Sequence, residues 1–298
     1  MEGHMKRNSV KMITVALALT LLLSGCINPT KEEQTTTKPP INVDNVNPNS
    51  IGSYKTMEYP YHTNVDVSKL TTNLNPAYLI LANKTNDLGS DYVPATLVSL
   101  TCSKLETNRA YELDSRAATA LYAMLAEMSA DGVSDIMVAS AYRSYADQAA
   151  AFHRHVEKEK STLTNDAYRV LGEDYIRMNY LEKGIYRLST EDAETVVKSY
   201  SALPGQSEHQ TGLCVDFATY EEGKEVLTEA FESTKAFVWL SQNAYKFGFI
   251  LRYPKGQENI TGYTYEPWHY RFVGREAATD IWVGNMTLEQ YLYLANGQ

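Results

Sequence analysis

The sequence predicts an α+β fold, a small and mostly antiparallel sheet with helices packed on one face. Two observations predict it. Apolar residues recur at helical spacing around Leu121 and around Leu240, and each run is stopped by a glycine. The short runs Asp135 to Ala141, Phe249 to Tyr253 and Trp268 to Phe272 read as strands. Helices precede and interrupt these strands and do not alternate with every one, so a parallel βαβ sheet does not fit.

Leu121, Met124, Leu125 and Met128 lie at i, i+3, i+4 and i+7, one apolar helix face that ends near Gly132. In the next segment Ile136, Val138 and Ser140 alternate with Met137, Ala139 and Ala141, a strand buried largely on both faces. A second helix opens near Tyr145. Ser189 is a natural N-cap for a helix over Thr190 to Ser201. Helical spacing returns at Phe237, Leu240, Ala244 and Phe247, and Gly248 stops it.

The N-terminus is not part of this fold. Lys6, Arg7 and Lys11 precede an apolar run, Ile13 to Leu23, too short to span a bilayer comfortably. Leu23-Ser24-Gly25-Cys26 has the form of a lipoprotein cleavage signal, which makes residues 1–25 a signal peptide and Cys26 the lipidated residue. The simpler alternative is an ordinary secretory signal with Cys26 incidental. Residues 27 to 54 are rich in Thr, Asn, Pro and Lys and poor in large apolar side chains, so 26–56 reads as lipidated cysteine plus flexible tether. Residues 57–298 form the folded domain, long enough for a real core.

The first 25 residues carry three basic and one acidic side chain, so their removal takes the formal charge from −9 to −11. Such a protein does not bind nucleic acid or anionic lipid by charge. Attachment to the membrane falls to the lipid alone, and one acyl chain holds weakly, so Cys26 needs more than one. After Cys26 only Cys102 and Cys214 remain, which allows one disulfide without showing that the two meet.

Chemistry concentrates in two blocks. Ser207-Glu208-His209-Gln210-Thr211-Gly212-Leu213-Cys214-Val215-Asp216 offers a His and an Asp, and Glu266-Pro267-Trp268-His269-Tyr270 offers a Glu and a His. Two neutral imidazoles and a carboxylate make a three-ligand zinc site with a fourth position for water, and the second carboxylate is then free to act as base. His209 and Asp216 have opposite strand parity, so His209 is expected on the loop entering the strand and Asp216 within it. Pro267 supplies a similar irregularity between Glu266 and His269. His153 and His155 sit beside charged residues and read as a solvated helix face. Trp268 and Tyr270 read as core before pocket wall.

Both blocks resemble those of the VanY-type D-alanyl-D-alanine carboxypeptidases, zinc peptidases that trim the terminal D-alanine of peptidoglycan stem peptides. Ser140-Ala141-Tyr142-Arg143-Ser144-Tyr145-Ala146-Asp147-Gln148 is similar to the family's arginine segment, and Phe249 to Pro254 with Thr261 to Tyr265 to the run before its Glu-Pro-Trp-His. Leu79 to Asn86 with Asp91 to Pro94 resembles its opening strand and loop. The likeness spans roughly residues 76 to 275. It implies that His209, Asp216 and His269 bind zinc in a cleft and that Glu266 is the base. It also implies that Arg143 contacts substrate near the scissile carbonyl, while Gln148 and Ser207 line the substrate pocket. The implied location is extracytoplasmic.

Two departures stand out. Cys214 replaces a small apolar residue of the family; it shares strand parity with Asp216, but a thiolate ligand would close the position hydrolysis requires, so it reads as a small buried residue. The stretch 157–200 is longer than in compact relatives. The motifs do not separate a D,D-carboxypeptidase from an L,D-carboxypeptidase acting on tetrapeptide stems. A non-catalytic wall-binding lipoprotein with a zinc site, or a metal-capturing lipoprotein, leaves Glu266 without a purpose.

Overall fold

The computed structural model describes residues 41–101, 110–219 and 227–297. Cys26 and Cys102 lie outside the described residues. A two-stranded antiparallel ribbon, β1 (Leu97–Ser99) and β2 (Glu112–Asp114), leads into helix α1 (Ser115–Ala130). Asp114 caps α1 by accepting from the backbone N–H groups of Arg116 and Ala117. Strand β3 (Met137–Ser140) follows, then α2 (Tyr145–Lys160), α3 (Asn165–Leu171), α4 (Glu173–Asn179) and α5 (Thr190–Val197). The remainder is β4 (Cys214–Ala218), α6 (Lys235–Asn243), β5 (Phe249–Leu251), α7 (Glu258–Thr261), β6 (His269–Phe272), α8 (Arg275–Gly284) and α9 (Leu288–Ala295).

The main sheet is antiparallel throughout, in the order β3-β4-β6-β5. Its two faces differ in kind. Val215 and Phe217 of β4 and Tyr270 and Phe272 of β6 enter one core with Leu121, Met124 and Met128 of α1 and Leu240 of α6. Strand alternation therefore sends Cys214, Asp216, His269 and Arg271 to the opposite face. The register Asp216↔His269 sets two of these side chains directly across from each other. A register shift between Val138 and Ser140 brings Ser140 opposite Asp216 and ends β3 beside them.

A second apolar cluster joins α8 and α9 to Ile250 and Val273. The stretch 157–200 builds a third around Ile176, Tyr180, Val196 and Val197, packed on α2 through Val156. The end of the expected tether is in part anchored: the backbone N–H groups of Gly52 and Tyr54 donate to the Asp280 carboxylate of α8. One expected strand is absent. Leu79 to Asn86 joins neither sheet, because the Asn83 carboxamide accepts from the Thr85 backbone and from Asn86, closing a local turn in which the backbones of Asn83 and Asn86 bridge each other.

Candidate metal centre and active site

A one-turn helix, Glu208–Thr211, carries His209 into the site, and Gly212 turns the chain from it into β4. Gly212 takes φ of 66°, and an added Cβ there would meet Leu97 Cδ2 at 2.9 Å. Only glycine fits that turn without strain. The turn resolves the parity conflict as expected, with His209 on the entering loop and Asp216 inside the strand.

The Asp216 carboxylate stands between the two imidazoles. Its Oδ2 lies 3.1 Å from His209 Nε2 and its Oδ1 2.9 Å from His269 Nδ1. The rings are nearly perpendicular, with centroids 5.1 Å apart. His209 Nδ1 donates to the Ala141 carbonyl at 2.6 Å, which fixes Nε2 as the atom turned to Asp216. Glu266 Oε2 is 3.7 Å from His269 Nδ1. Cys214 belongs to the same cluster: His209, Cys214 and His269 each offer a ligand atom within 4.8 Å of the others.

The electrostatics favour a cation here. Burial works against charge on His209, yet Cys214 and Asp216 outweigh it and push the imidazole up to about 9. His269 is likewise held well above its ordinary value against burial, by Cys214 and by hydrogen bonding to Asp216. Burial would also raise Asp216, but the two imidazoles hold it far below the usual carboxylate range. Two imidazoles, a carboxylate and a thiol suit zinc, which takes N, O and S donors. Burial pushes Glu266 up to about 7.

His209, Asp216, Glu266 and His269 open onto a cleft of about 380 Å³ that Arg143, Gln148 and Ser207 also line. Arg143 leaves the end of β3 with its backbone N–H donating to His209 O at 3.1 Å. Its guanidinium donates to Gln148 Oε1 at 2.8 Å and Ser140 Oγ at 3.0 Å. Gln148 in turn donates to the Ala202 carbonyl at 2.7 Å, so its amide is engaged as a brace for Arg143. Trp268 forms part of the cleft wall, whereas Tyr270 is core. His155 departs from the solvated-face expectation: it lines the cleft beside Tyr200, and its Nδ1 is buried without a hydrogen bond among the described residues. Its helix is covered there by α5, which the helical period alone does not show.

The sequence reading also missed a buried ionic cluster behind His269. Glu208 Oε1 accepts from Arg252 Nε and Arg271 Nη1, both at 2.7 Å, and Arg252 forks onto Glu289 at 2.7 and 2.9 Å. Both arginines are fully buried. Glu208 stands inside the first block and Arg252 inside the Phe249 to Pro254 run, both segments that carry the family likeness, which was the available signal. Cys214 is a free, buried thiol.

The profile of the VanY D-alanyl-D-alanine carboxypeptidase family matches residues 110–275. The chain belongs to this family. YodJ of Bacillus subtilis is 32% identical over 292 residues, 94% of each chain. The D-alanyl-D-alanine carboxypeptidase of Enterococcus faecalis is 33% identical over 217 residues, 72% of this chain and 65% of that one. Among solved structures, the LdcB LD-carboxypeptidase superposes with a TM-score of 0.57 at 34% identity, covering 74% of this chain and 87% of its own. A variant of the D,D-pentapeptidase VanY from a VanB-type resistance cassette, in complex with Zn(II), gives 0.54 at 31%, covering 72% and 99%. The VanY fold, a mixed architecture built on a small antiparallel sheet, is thus the fold of this chain.

Proposed function

We propose that this protein is a zinc carboxypeptidase that removes the C-terminal D-alanine from D-Ala-D-Ala stem pentapeptides of peptidoglycan. The observation that carries the reading is the convergence of His209, Asp216 and His269 beside Glu266 in one cleft of a VanY-family chain. In this reading His209 Nε2, the Asp216 carboxylate and His269 Nδ1 hold the metal. Zinc, when bound, supplies a Lewis acid that polarises the scissile carbonyl and brings the pKa of a water toward about 7.

Glu266 accepts the proton of the attacking water and passes it to the leaving nitrogen. A C–O bond forms, the C–N bond breaks, and the amine of D-alanine carries the proton away. Glu266 opens onto the same cleft as His209, Asp216 and His269, where a carboxylate can take a proton from water and return it to the amine. Arg143 donates to the carbonyl oxygen as negative charge develops there, with Gln148 and Ser140 holding its plane. Ser207 lines the same pocket. Residues 1–25 act as signal peptide, Cys26 carries the lipid, and the tether that follows, whose end is held to α8 at Gly52 and Tyr54, sets the catalytic domain outside the cell within reach of the wall.

A second reading, an L,D-carboxypeptidase on tetrapeptide stems, is favoured by the similarity to LdcB. Mass spectrometry of the zinc-loaded protein with pentapeptide and with tetrapeptide separates the two. Loss of one alanine from the pentapeptide alone supports the first reading, and loss from the tetrapeptide alone selects the second. No loss from either, with zinc bound, moves the protein to a wall-binding role. Metabolic labelling with a fatty acid, with Cys26→Ala as control, tests the anchor.

A further inference from the structure

We infer that the Cys214 sulfur is a fourth protein donor to the metal, which is then held by two imidazoles, a carboxylate and a thiolate. The inference rests on the zinc reading above and concerns a residue to which that reading gives no role. A free buried cysteine usually behaves as a small hydrophobe among apolar neighbours. Cys214 does not have that setting. Its strand neighbour Val215 and the next inward residue Phe217 enter the apolar core, whereas Cys214 shares the opposite face with Asp216, and with Arg271 and His269 of β6.

The distances agree with this assignment. Two donors on one zinc, each bonded at 2.0–2.3 Å, are about 3.5 Å apart in a tetrahedron. The ligand atoms of His209, Cys214 and His269 all lie within 4.8 Å of one another, with Cys214 fully buried and the imidazoles 6% and 3% exposed. On coordination the thiol gives its proton to solvent as the sulfur–metal bond forms, and no electron is transferred. Four protein donors fill a tetrahedral shell, so with Cys214 bound, water reaches the metal only as a fifth donor, and the expectation that Cys214 is a small buried residue gives way.

The test replaces zinc with cobalt(II) in the full chain. The wild-type protein is expected to show tetrahedral visible bands together with a near-ultraviolet thiolate-to-cobalt charge-transfer band. Cys214→Ala and Cys214→Ser are expected to keep the visible bands and lose the charge-transfer band. Visible bands without a thiolate band in wild type overturn the inference and leave the metal site standing. So does a thiolate band that survives in both variants, since Cys26 or Cys102 then supplies it. A wild-type protein that binds no cobalt and no zinc overturns the inference together with the zinc reading.

Discussion

Glu208 Oε2 and His269 Nε2 face each other across 3.5 Å, and neither atom makes a hydrogen bond to any other described group. Glu208 cannot swing away, because Arg252 and Arg271 hold its other oxygen. A carboxylate behind a ligating imidazole fixes the ring's tautomer and orientation, which here turns His269 Nδ1 toward Asp216. Glu208→Gln is therefore expected to weaken zinc retention by about 10–100-fold. Chelator competition measures it, and an unchanged affinity removes Glu208 from the metal's support.

Glu266→Ala separates base from ligand. The variant is expected to keep stoichiometric zinc while kcat falls by about 10²–10⁴-fold. Metal analysis alongside turnover decides it: parallel loss of both would make Glu266 a ligand.

Arg143→Lys keeps the charge but loses the planar fork that Gln148 and Ser140 hold. With zinc content unchanged, kcat is expected to drop by about 10²–10³-fold, the range for one lost donor to a developing oxyanion. Wild-type kcat in the lysine variant would assign Arg143 to structure.

Gly212→Ala puts a side chain where φ is 66° and Leu97 stands in the way. The left-handed conformation alone costs about 1–2 kcal/mol. For a domain of this size that is a Tm loss of about 2–8 °C, read by calorimetry. Because the turn sets His209 against Asp216, zinc affinity should fall as well.

Glu127 gives the fold a pH dependence. Burial works to raise its carboxyl, but hydrogen bonds from the Thr63 hydroxyl and from the backbone of His62 and Thr63 outweigh it and hold it below the ordinary value. The folded state thus binds this proton less tightly than the unfolded state, and stability rises with pH across that window. The contribution is complete above the unfolded pKa of about 4.3 and is lost as pH falls through the lower folded value. Glu127→Gln should lower Tm at pH 7, with a gap that narrows below about pH 4. A gap independent of pH would assign the effect to geometry alone.

Much of this fold was legible because it is local. Leu121, Met124 and Met128 do form the buried face of α1, Ser189 does cap α5, and Gly248 does end the helical run before β5 in the left-handed region. Leu79 to Asn86 misled because its apolar start is followed by asparagines whose side chains compete for the backbone. The four residues of the proposed zinc chemistry were readable from residue type and spacing, and strand parity already set Cys214 with Asp216. That the thiol meets both imidazoles depends on the pairing of β4 with β6, which no local pattern contains. The Glu208–Arg252–Arg271–Glu289 cluster is likewise a product of the tertiary fold: it joins a turn, two strand regions and a helix far apart in sequence.

That cluster carries the influence of α9 inward. Glu289 sits near the start of α9, holds Arg252 by a fork and accepts from Asn83. Trimming this helix would strip one carboxylate from a balanced set of two guanidiniums and two carboxylates. The surplus positive charge would remain sealed inside, and breaking such a buried pair costs about 3–5 kcal/mol. Helix α9 is thus a keystone for a metal it never touches, and whoever shortens it is working on the catalytic centre.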